Sequence, residues 1–317
     1  MHPAYSVISF TLASGTGYGM FIVLSSFFVM GVIPKDNFFY LCYSFIAILL
    51  ISIGLFLSFL HLGRPERAWR ALSQWKSSWL SREGIAALVT YLPIAVLSIY
   101  IIFFNKSNTH IILILLSLIT IMFCLITLLC TAMIYQSLKT ISQWRNRLVC
   151  PLYIIHSVTS GNICLILLLS YFSYYNKTII IVSLFFLFLS LVLKTKYWNQ
   201  IKLQRSTYTI NDATGLGSKN NVSAFESPHS KKNYLQKEMG YHIARKHSNK
   251  LRKIYISLSY FLPFILISLS FLINNFLLMI ILSIVFVSFF IGLFIERWLF
   301  FAEAEHTVML YYGKQNS

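Results

Sequence analysis

Long stretches without a single charged residue restrict how this chain can fold more than any other feature. The longest covers 42 residues, from 254 to 295, and six others span between 16 and 32 residues. An α-helix needs about 20 mainly apolar residues to cross the hydrocarbon core of a bilayer. Only 11% of the 317 residues are charged, whereas soluble domains have roughly 25%, so most of the chain is predicted to lie in lipid.

These runs predict an all-α integral membrane protein, a bundle of about eight transmembrane helices that forms a single domain over residues 1–317. The adjacent Asn274 and Asn275 divide the longest run into two spans, because Asn pairs favour tight turns. The sixth run has only 16 residues and needs flanking residues to cross the bilayer. The predicted spans are 6–33, 37–60, 84–105, 107–138, 148–176, 178–193, 254–273 and 276–295.

Two polar stretches separate the predicted spans. Residues 61–83, between spans two and three, combine Trp with Arg and Lys, as a segment lying at the membrane interface does. Residues 194–253, between spans six and seven, are polar and basic, with a helix-like part at 234–251. A connection of about 60 residues is longer than a simple turn needs, so this loop is predicted to dock a partner. A surface loop without a partner is the alternative.

The basic residues are distributed unequally between the two membrane faces. With eight spans, both termini and the loops 2–3, 4–5 and 6–7 share one face, called face A, and the other loops share face B. Only Lys35, Lys106 and Lys177 fall on face B, and the other 23 of the 26 Lys and Arg fall on face A. The positive-inside rule therefore predicts that face A and both termini are cytoplasmic, in a bacterial inner membrane. We interpret the net charge of +17 as that of loops which contact anionic lipids or an acidic partner. Nucleic-acid binding is not predicted.

All six Trp of the chain are predicted at or near face A. Since an ordinary aromatic belt marks both interfaces, a one-sided set indicates a partner interface or a segment among the lipid headgroups. The residues predicted to dock a partner, from this set and from the helix-like part of the long loop, are Trp69, Trp75, Trp79, Tyr234 and Arg245.

Ionisable residues from four spans are also predicted at face A, where intramembrane charges are costly and usually functional. Each alone has a simpler interpretation, such as a helix cap for Glu83 or an ion pair for Glu296 with Arg297. Together they suit a quinone, whose carbonyls accept hydrogen bonds from His and Arg and whose two-electron chemistry moves protons through carboxylates. The predicted quinone-binding and proton-transfer residues are His61, Arg64, Arg67, Glu83, His156, Glu296 and His306.

No cofactor other than an exchangeable quinone is predicted in this chain. The five Cys form no C-x-x-C pair, so neither an iron–sulfur cluster nor a structural zinc is expected, and no residue is assigned to catalysis or to metal binding. A haem b held by two of the His is an alternative of another class. A transporter is a third, although the chain lacks a visible inverted repeat.

Three motifs make this chain similar to a known family. They are MHPAYSVISFTLASGTGYG at 1–19, HLGRPERAWRALSQWKSSWLSREG at 61–84 and ERWLFFAEAEHTVMLYYG at 296–313. Together they resemble the anchor subunits of DMSO-reductase-type molybdoenzymes, the DmsC-like family. The resemblance implies an eight-helix anchor that passes electrons between an Fe–S subunit and a quinone and holds a molybdopterin catalytic subunit at the membrane. It places the functional positions of the family at His61, Arg67 and Glu83.

The motifs of the long loop indicate one branch of this family. Its motifs ATGLG at 213–217, FESPH at 225–229 and NYLQKEMGYHIARKH at 233–247 are similar to the SoeC branch, which anchors a cytoplasm-facing sulfite dehydrogenase. That branch implies electron flow from sulfite to quinone. A menaquinol-oxidising anchor of a DMSO or related reductase, serving anaerobic respiration, is the alternative within the family.

A reduced-minus-oxidised absorption spectrum of the purified chain distinguishes the quinone and haem interpretations. We expect no b-type band, because His61, His156 and His306 are predicted near one surface plane, and His110 at the opposite face. A clear b-type band would refute the prediction of a haem-free chain.

Overall fold

The structure, a computed structural model, is helical, and eight helices in the part of the chain that it describes are long and apolar enough to cross a membrane. This confirms the predicted all-α bundle of eight transmembrane helices. The described residues are 3–33, 36–60, 62–104, 110–203, 208–216, 222–223, 225–226, 231, 233–239, 243–272 and 275–312.

The helices follow one another with short connections except between spans two and three and between spans six and seven. In chain order they are α1 Tyr5–Val29, α2 Asn37–Phe59, α3 Trp79–Phe104, α4 His110–Gln136, α5 Val149–Tyr171, α6 Lys177–Leu203, α7 Ile210–Thr214, α8 Tyr234–Met239, α9 Ile243–Ile256, α10 Leu262–Leu269 and α11 Asn275–Ala302, with 3₁₀ helices at Pro65–Gln74, Ser270–Leu272 and Thr307–Tyr312.

Four spans extend beyond the uncharged runs that predicted them, and the seventh does so by beginning within α9, before residue 254. The third begins at Trp79 instead of 84, so Arg82 and Glu83 lie in the first turns of α3. The sixth continues through Lys194 to Leu203, and the eighth through Glu296 to Ala302. The predicted loop 194–253 is therefore shorter, because its first ten residues belong to α6 and its last part forms α9. Glu83, Lys194 and Glu296 do not end their helices because each finds a partner inside the bundle.

The seventh span contains a π-helical turn. It is formed by α9, the π turn Ser257–Phe261 and α10, and the backbone N–H of Leu262 donates to the carbonyl of Ser257, five residues earlier. Pro263 explains this turn, since a proline ring in an α-helix lacks the N–H donor and collides with the carbonyl four residues before it. Widening the helix by one residue relieves the collision without ending the span.

Contacts between helix ends support the predicted sorting into two faces. At face A, the indole of Trp144 in the loop 4–5 donates to the carbonyl of Phe300 at the end of α11, at 2.9 Å. At face B, Asn37 at the start of α2 donates to the carbonyl of Ile102 near the end of α3, also at 2.9 Å. Alternate spans thus run in opposite directions, as an eight-span topology requires.

Helices α1 and α5 form the centre of the bundle. In their most apolar stretches 78% and 83% of the residues are buried, compared with 28–39% in the other six spans. The six other spans therefore surround this pair and present side chains outward.

Small residues allow α1 and α5 to approach backbone to backbone. A Cβ atom placed on Gly19 would collide with the carbonyl of Ser157, and one placed on Gly161 would collide with the backbone of Gly19 and Met20. Gly15 faces the Ser157 side chain, so a Gly-x-x-x-Gly pair in α1 meets a Ser-x-x-x-Gly pair in α5. Close packing of small residues is a main source of helix association in lipid, where the hydrophobic effect does not favour it.

Substituting Gly19 by Ala should destabilise the bundle by about 1–3 kcal/mol, because the new methyl group meets rigid backbone and forces the two helices apart. Thermal unfolding in detergent measures the loss. Gly63→Ala is the matched control, since a Cβ there has no neighbour within 4 Å. Equal melting temperatures for the two variants would contradict the close contact.

Candidate functional site

A cluster of charged side chains is buried between three spans near face A. It combines His156 from α5, Lys194 from α6, and Glu296 and Arg297 from α11, and each side chain is between 2% and 4% exposed. Lys194 Nζ donates to Oε1 of Glu296. The other carboxylate oxygen, Oε2, lies 3.5 Å from Nε of Arg297 and 3.8 Å from Nδ1 of His156.

Pairing and aromatic rings make these charges tolerable at this depth. An isolated charge inside the bundle would be strongly unfavourable, so each one requires a partner. Arg297 also lies 3.8 Å above the ring of Tyr153, and Lys194 lies 4.7 Å from the ring of Tyr197, at cation–π distance. The two cations and one carboxylate leave one positive charge in excess when the imidazole is neutral.

A chain of hydroxyl groups leads from the imidazole of His156. On one side of the imidazole, Arg297 contacts Nδ1 of His156 at 3.5 Å. Nε2 faces the hydroxyl of Tyr255 at 3.3 Å, which lies 2.6 Å from the hydroxyl of Tyr260. Tyr260 in turn lies 2.9 Å from the hydroxyl of Ser190.

The π turn makes this chain of hydroxyl groups possible. Tyr255 and Tyr260 are five residues apart, which in an α-helix would place them about 140° apart around the axis. The wider turn brings them to one side, where their rings pack edge to face at 5.3 Å. A turn explained by Pro263 in the sequence therefore also organises the site.

A narrow cavity reaches the cluster from face A. Its volume is about 10 Å³, about the room for one water molecule. Gln143 and Glu303 contribute to its wall, and Lys194 and Glu296 also line it. Oε2 of Glu296 accepts no hydrogen bond from the described part of the chain, so a polar acceptor is available within the cluster.

Glu83 forms a second polar centre, on the other side of the bundle. Its side chain lies in the first turns of α3 and is 5% exposed, and the hydroxyl of Thr131 in α4 donates to Oε1 at 2.5 Å. The 3₁₀ helix Pro65–Gln74 covers the start of α3, because a Cβ on Gly84 would lie 3.0 Å from Leu72. Glu83 itself is buried beside α4, next to the glycine that this 3₁₀ helix approaches.

Two stacked tyrosines lie between the two polar centres. The rings of Tyr135 and Tyr153 are 5.7 Å apart and nearly parallel. Both tyrosines are within electrostatic range of Glu83 and of Arg297. The two centres are thus separated by aromatic rings, and they are not in direct contact.

The structure brings only some of the predicted quinone-site residues together. His156 and Glu296 meet, whereas Glu83 lies apart from them. Arg64 and Arg67 are exposed, and Arg67 lies 4.0 Å from the exposed Glu66. His61 lies outside the described residues.

His306 belongs to a separate contact at the carboxyl end of the chain. It forms a β-bridge with Ile141 in the loop 4–5, and its Nδ1 accepts from the backbone N–H of Val308 at 3.0 Å. Partial burial lowers the pKa of His306 below its ordinary value. None of these contacts joins it to the buried cluster.

The predicted docking residues differ in exposure. Trp69 and Trp75 are 67% and 54% exposed, and Tyr234 is 69% exposed. Trp79 is partly buried beneath the guanidinium of Arg82, which lies 4.3 Å from its ring. The side chain of Arg245 lies outside the described part of α9.

Sequence reasoning missed Lys194 because it treated this residue as the start of a loop. The pattern that could have found it is the spacing of the buried face of α6. Ser183, Leu187 and Ser190 recur at intervals of four and three residues, and Lys194 and Tyr197 continue the same series.

The family model for the DMSO reductase anchor subunit, DmsC, matches residues 1–313. The chain belongs to this family. This confirms the resemblance seen in the motifs, and the chain is a membrane anchor subunit of a molybdoenzyme complex. A subunit of the sulfite dehydrogenase of Allochromatium vinosum is 30% identical over 334 residues, which cover 98% of this chain and 99% of that protein.

Glu296→Gln should destabilise this anchor subunit by about 3–5 kcal/mol, because it leaves Lys194 and Arg297 as two buried cations without a carboxylate. Adding Lys194→Met should restore part of the loss by removing one of those cations. Thermal unfolding in detergent measures both effects. The exposed Glu226→Gln is the control, and a Glu296 variant as stable as this control would show that the ion pairs contribute nothing.

Proposed function

We propose that this anchor subunit exchanges electrons between an Fe–S subunit and a membrane quinone, in a complex that also includes a molybdopterin-containing catalytic subunit. The observation that carries the proposal is Glu83, a buried carboxyl group at face A that accepts a hydrogen bond from Thr131 and precedes Gly84, which the 3₁₀ helix Pro65–Gln74 approaches. It coincides with the position to which the family motif assigns function.

The residues around Glu83 fit a quinone headgroup in chemical type. Quinone carbonyls need hydrogen-bond donors, and the hydroxyl of Tyr18 is buried without a hydrogen-bond partner in the described residues, within electrostatic range of Glu83. His61 and Arg67 are the further donors implied by the family motif. A bound quinone would supply a two-electron, two-proton couple, with the electrons coming from or going to the Fe–S subunit.

Proton movement is the part of the reaction that this chain performs with its own groups. Glu83 lies in the first turns of α3, near the water at face A, and can take up a proton there and hold it beside the quinone. Glu296, which lines the one-water cavity and faces His156, provides a second place where a proton can enter from the same face. Two protons per two electrons balance the reduction of quinone to quinol.

Face A would also be the docking surface for the Fe–S subunit. Trp69 and Trp75 are exposed there, each beside a cation, with Arg70 at 5.4 Å and Lys76 at 5.8 Å from the respective rings. Aromatic and arginine side chains of this kind are enriched at protein interfaces. Docking here would bring the nearest iron–sulfur cluster close to the start of α3, which carries Glu83, because Trp69 belongs to the 3₁₀ helix that approaches Gly84.

The orientation and the substrate follow as parts of the same proposal. The excess of basic residues at face A supports a cytoplasmic location for this face and for both termini, in the inner membrane of a bacterium. The relative's membership of a sulfite dehydrogenase supports sulfite oxidation coupled to quinone reduction. The direction of electron flow would then be from the catalytic subunit toward the membrane.

Glu83→Gln should lower quinone-linked turnover of the whole complex by about 100-fold or more, because an amide cannot carry the proton that the carboxyl group transfers. Dye-linked activity, which bypasses the membrane subunit, should stay unchanged. Glu66→Gln is the matched control, as its carboxylate is 66% exposed in the adjoining 3₁₀ helix and should not affect either activity.

Normal quinone-linked turnover in the Glu83→Gln complex would refute the assignment of the site. Loss of both activities in that variant would point instead to failed assembly.

A further inference from the structure

One face of α6 and one face of α9 form a cleft at the face-A end of spans six and seven. The residues that line it recur on both helices at positions i, i+3, i+4 and i+7, which lie on one side of an α-helix. The volume of the cleft is about 440 Å³. Its lining residues are Thr195, Trp198, Asn199 and Lys202 on α6, and Asn249, Arg252, Lys253 and Ile256 on α9.

The cleft carries two positive charges that its own residues do not neutralise. Arg252 is paired with Glu303 through two hydrogen bonds of 3.1 and 2.7 Å, so its charge is compensated. Lys202 and Lys253 are exposed, and neither forms an ion pair with a residue that the structure describes. The amide groups of Asn199 and Asn249 add hydrogen-bonding capacity beside them.

An apolar groove continues from the cleft toward the membrane interior. It shares Lys253 and Ile256 with the cleft, has a similar volume of about 440 Å³, and passes along the π turn. Phe261 and Ile265 line it and are 65% and 51% exposed, as side chains facing lipid are. A basic cleft and an apolar groove thus form one continuous surface, with the charged part at the membrane face.

We propose that this surface is a binding site for one anionic phospholipid. The phosphate group would lie between Lys202 and Lys253, the glycerol oxygens would meet Asn199 and Asn249, and one acyl chain would lie along Phe261 and Ile265. Basic pockets between transmembrane helices at the cytoplasmic side are a recurrent form of anionic lipid recognition. Free phosphate would use only the cleft, and the positively charged choline group of a zwitterionic lipid would be repelled by it. This proposal is independent of quinone chemistry.

The test is a titration of the purified, delipidated complex in mild detergent, followed by native mass spectrometry. The probes are short-chain phosphatidylglycerol, short-chain phosphatidylcholine and inorganic phosphate. We expect one molecule of phosphatidylglycerol to bind per complex. Its affinity should be higher than that of phosphatidylcholine. Lys202→Gln with Lys253→Gln should weaken this binding by about tenfold or more.

The matched control is Lys196→Gln with Lys250→Gln. It removes the same charge from exposed positions on the same two helices, neither of which lines the cleft, so it should leave phosphatidylglycerol binding unchanged. Ser257→Trp fills the groove without changing charge and should weaken binding of the lipid but not of inorganic phosphate.

Three results would overturn the proposal. Equal binding of the two lipids would exclude recognition of an anionic headgroup. An equal loss of phosphatidylglycerol binding in the control variant would show that binding depends on general surface charge and not on the cleft. Displacement of the lipid by inorganic phosphate at comparable concentration would indicate a phosphate site without a lipid.

Discussion

The backbone contact between α1 and α5 is the constraint on which the rest of this bundle depends. In lipid, apolar side chains gain little by leaving one apolar environment for another, so association depends on close packing. Gly15 and Gly19 in α1 and Ser157 and Gly161 in α5 remove the side chains that would hold the two helices apart. The same stretch of α5 carries His156, whose imidazole faces Glu296 in α11. The next residue, Ser157, contacts α1.

Two polar centres are built around this core, and each uses a different way of keeping charge inside a membrane protein. Glu83 is a single carboxyl group with one hydroxyl donor, in the first turns of its span. The cluster of Lys194, Glu296, Arg297 and His156 instead places one carboxylate between two cations and joins three spans. The first arrangement suits a group that gains and loses a proton during turnover, and the second also holds the helices in register.

The number of spans could be predicted from the sequence because uncharged runs longer than a bilayer are unambiguous. The ends could not be predicted in the same way. The uncharged runs predict that a span ends at its first charge, but Lys194 and Glu296 neutralise each other inside the bundle. The helices that carry them therefore continue, α6 to Leu203 and α11 to Ala302. Pairing between residues 102 positions apart is a property of the folded state. The sequence identified Glu83, His156 and Glu296 as functional candidates, yet their spacing along the chain did not reveal that only the last two are in contact.

The π turn at Ser257–Phe261 can be gained or lost through a change of one residue in the length of the span. Such a turn amounts to one additional residue in an otherwise α-helical span, and it displaces everything beyond it by about 100° around the axis. A relative that lacks the additional residue would present a different side chain at the position of Tyr260, even if both flanking segments were identical. Gain or loss of the hydroxyl chain between His156 and Ser190 would then appear between homologous genes as a single-codon insertion or deletion in the middle of a hydrophobic segment.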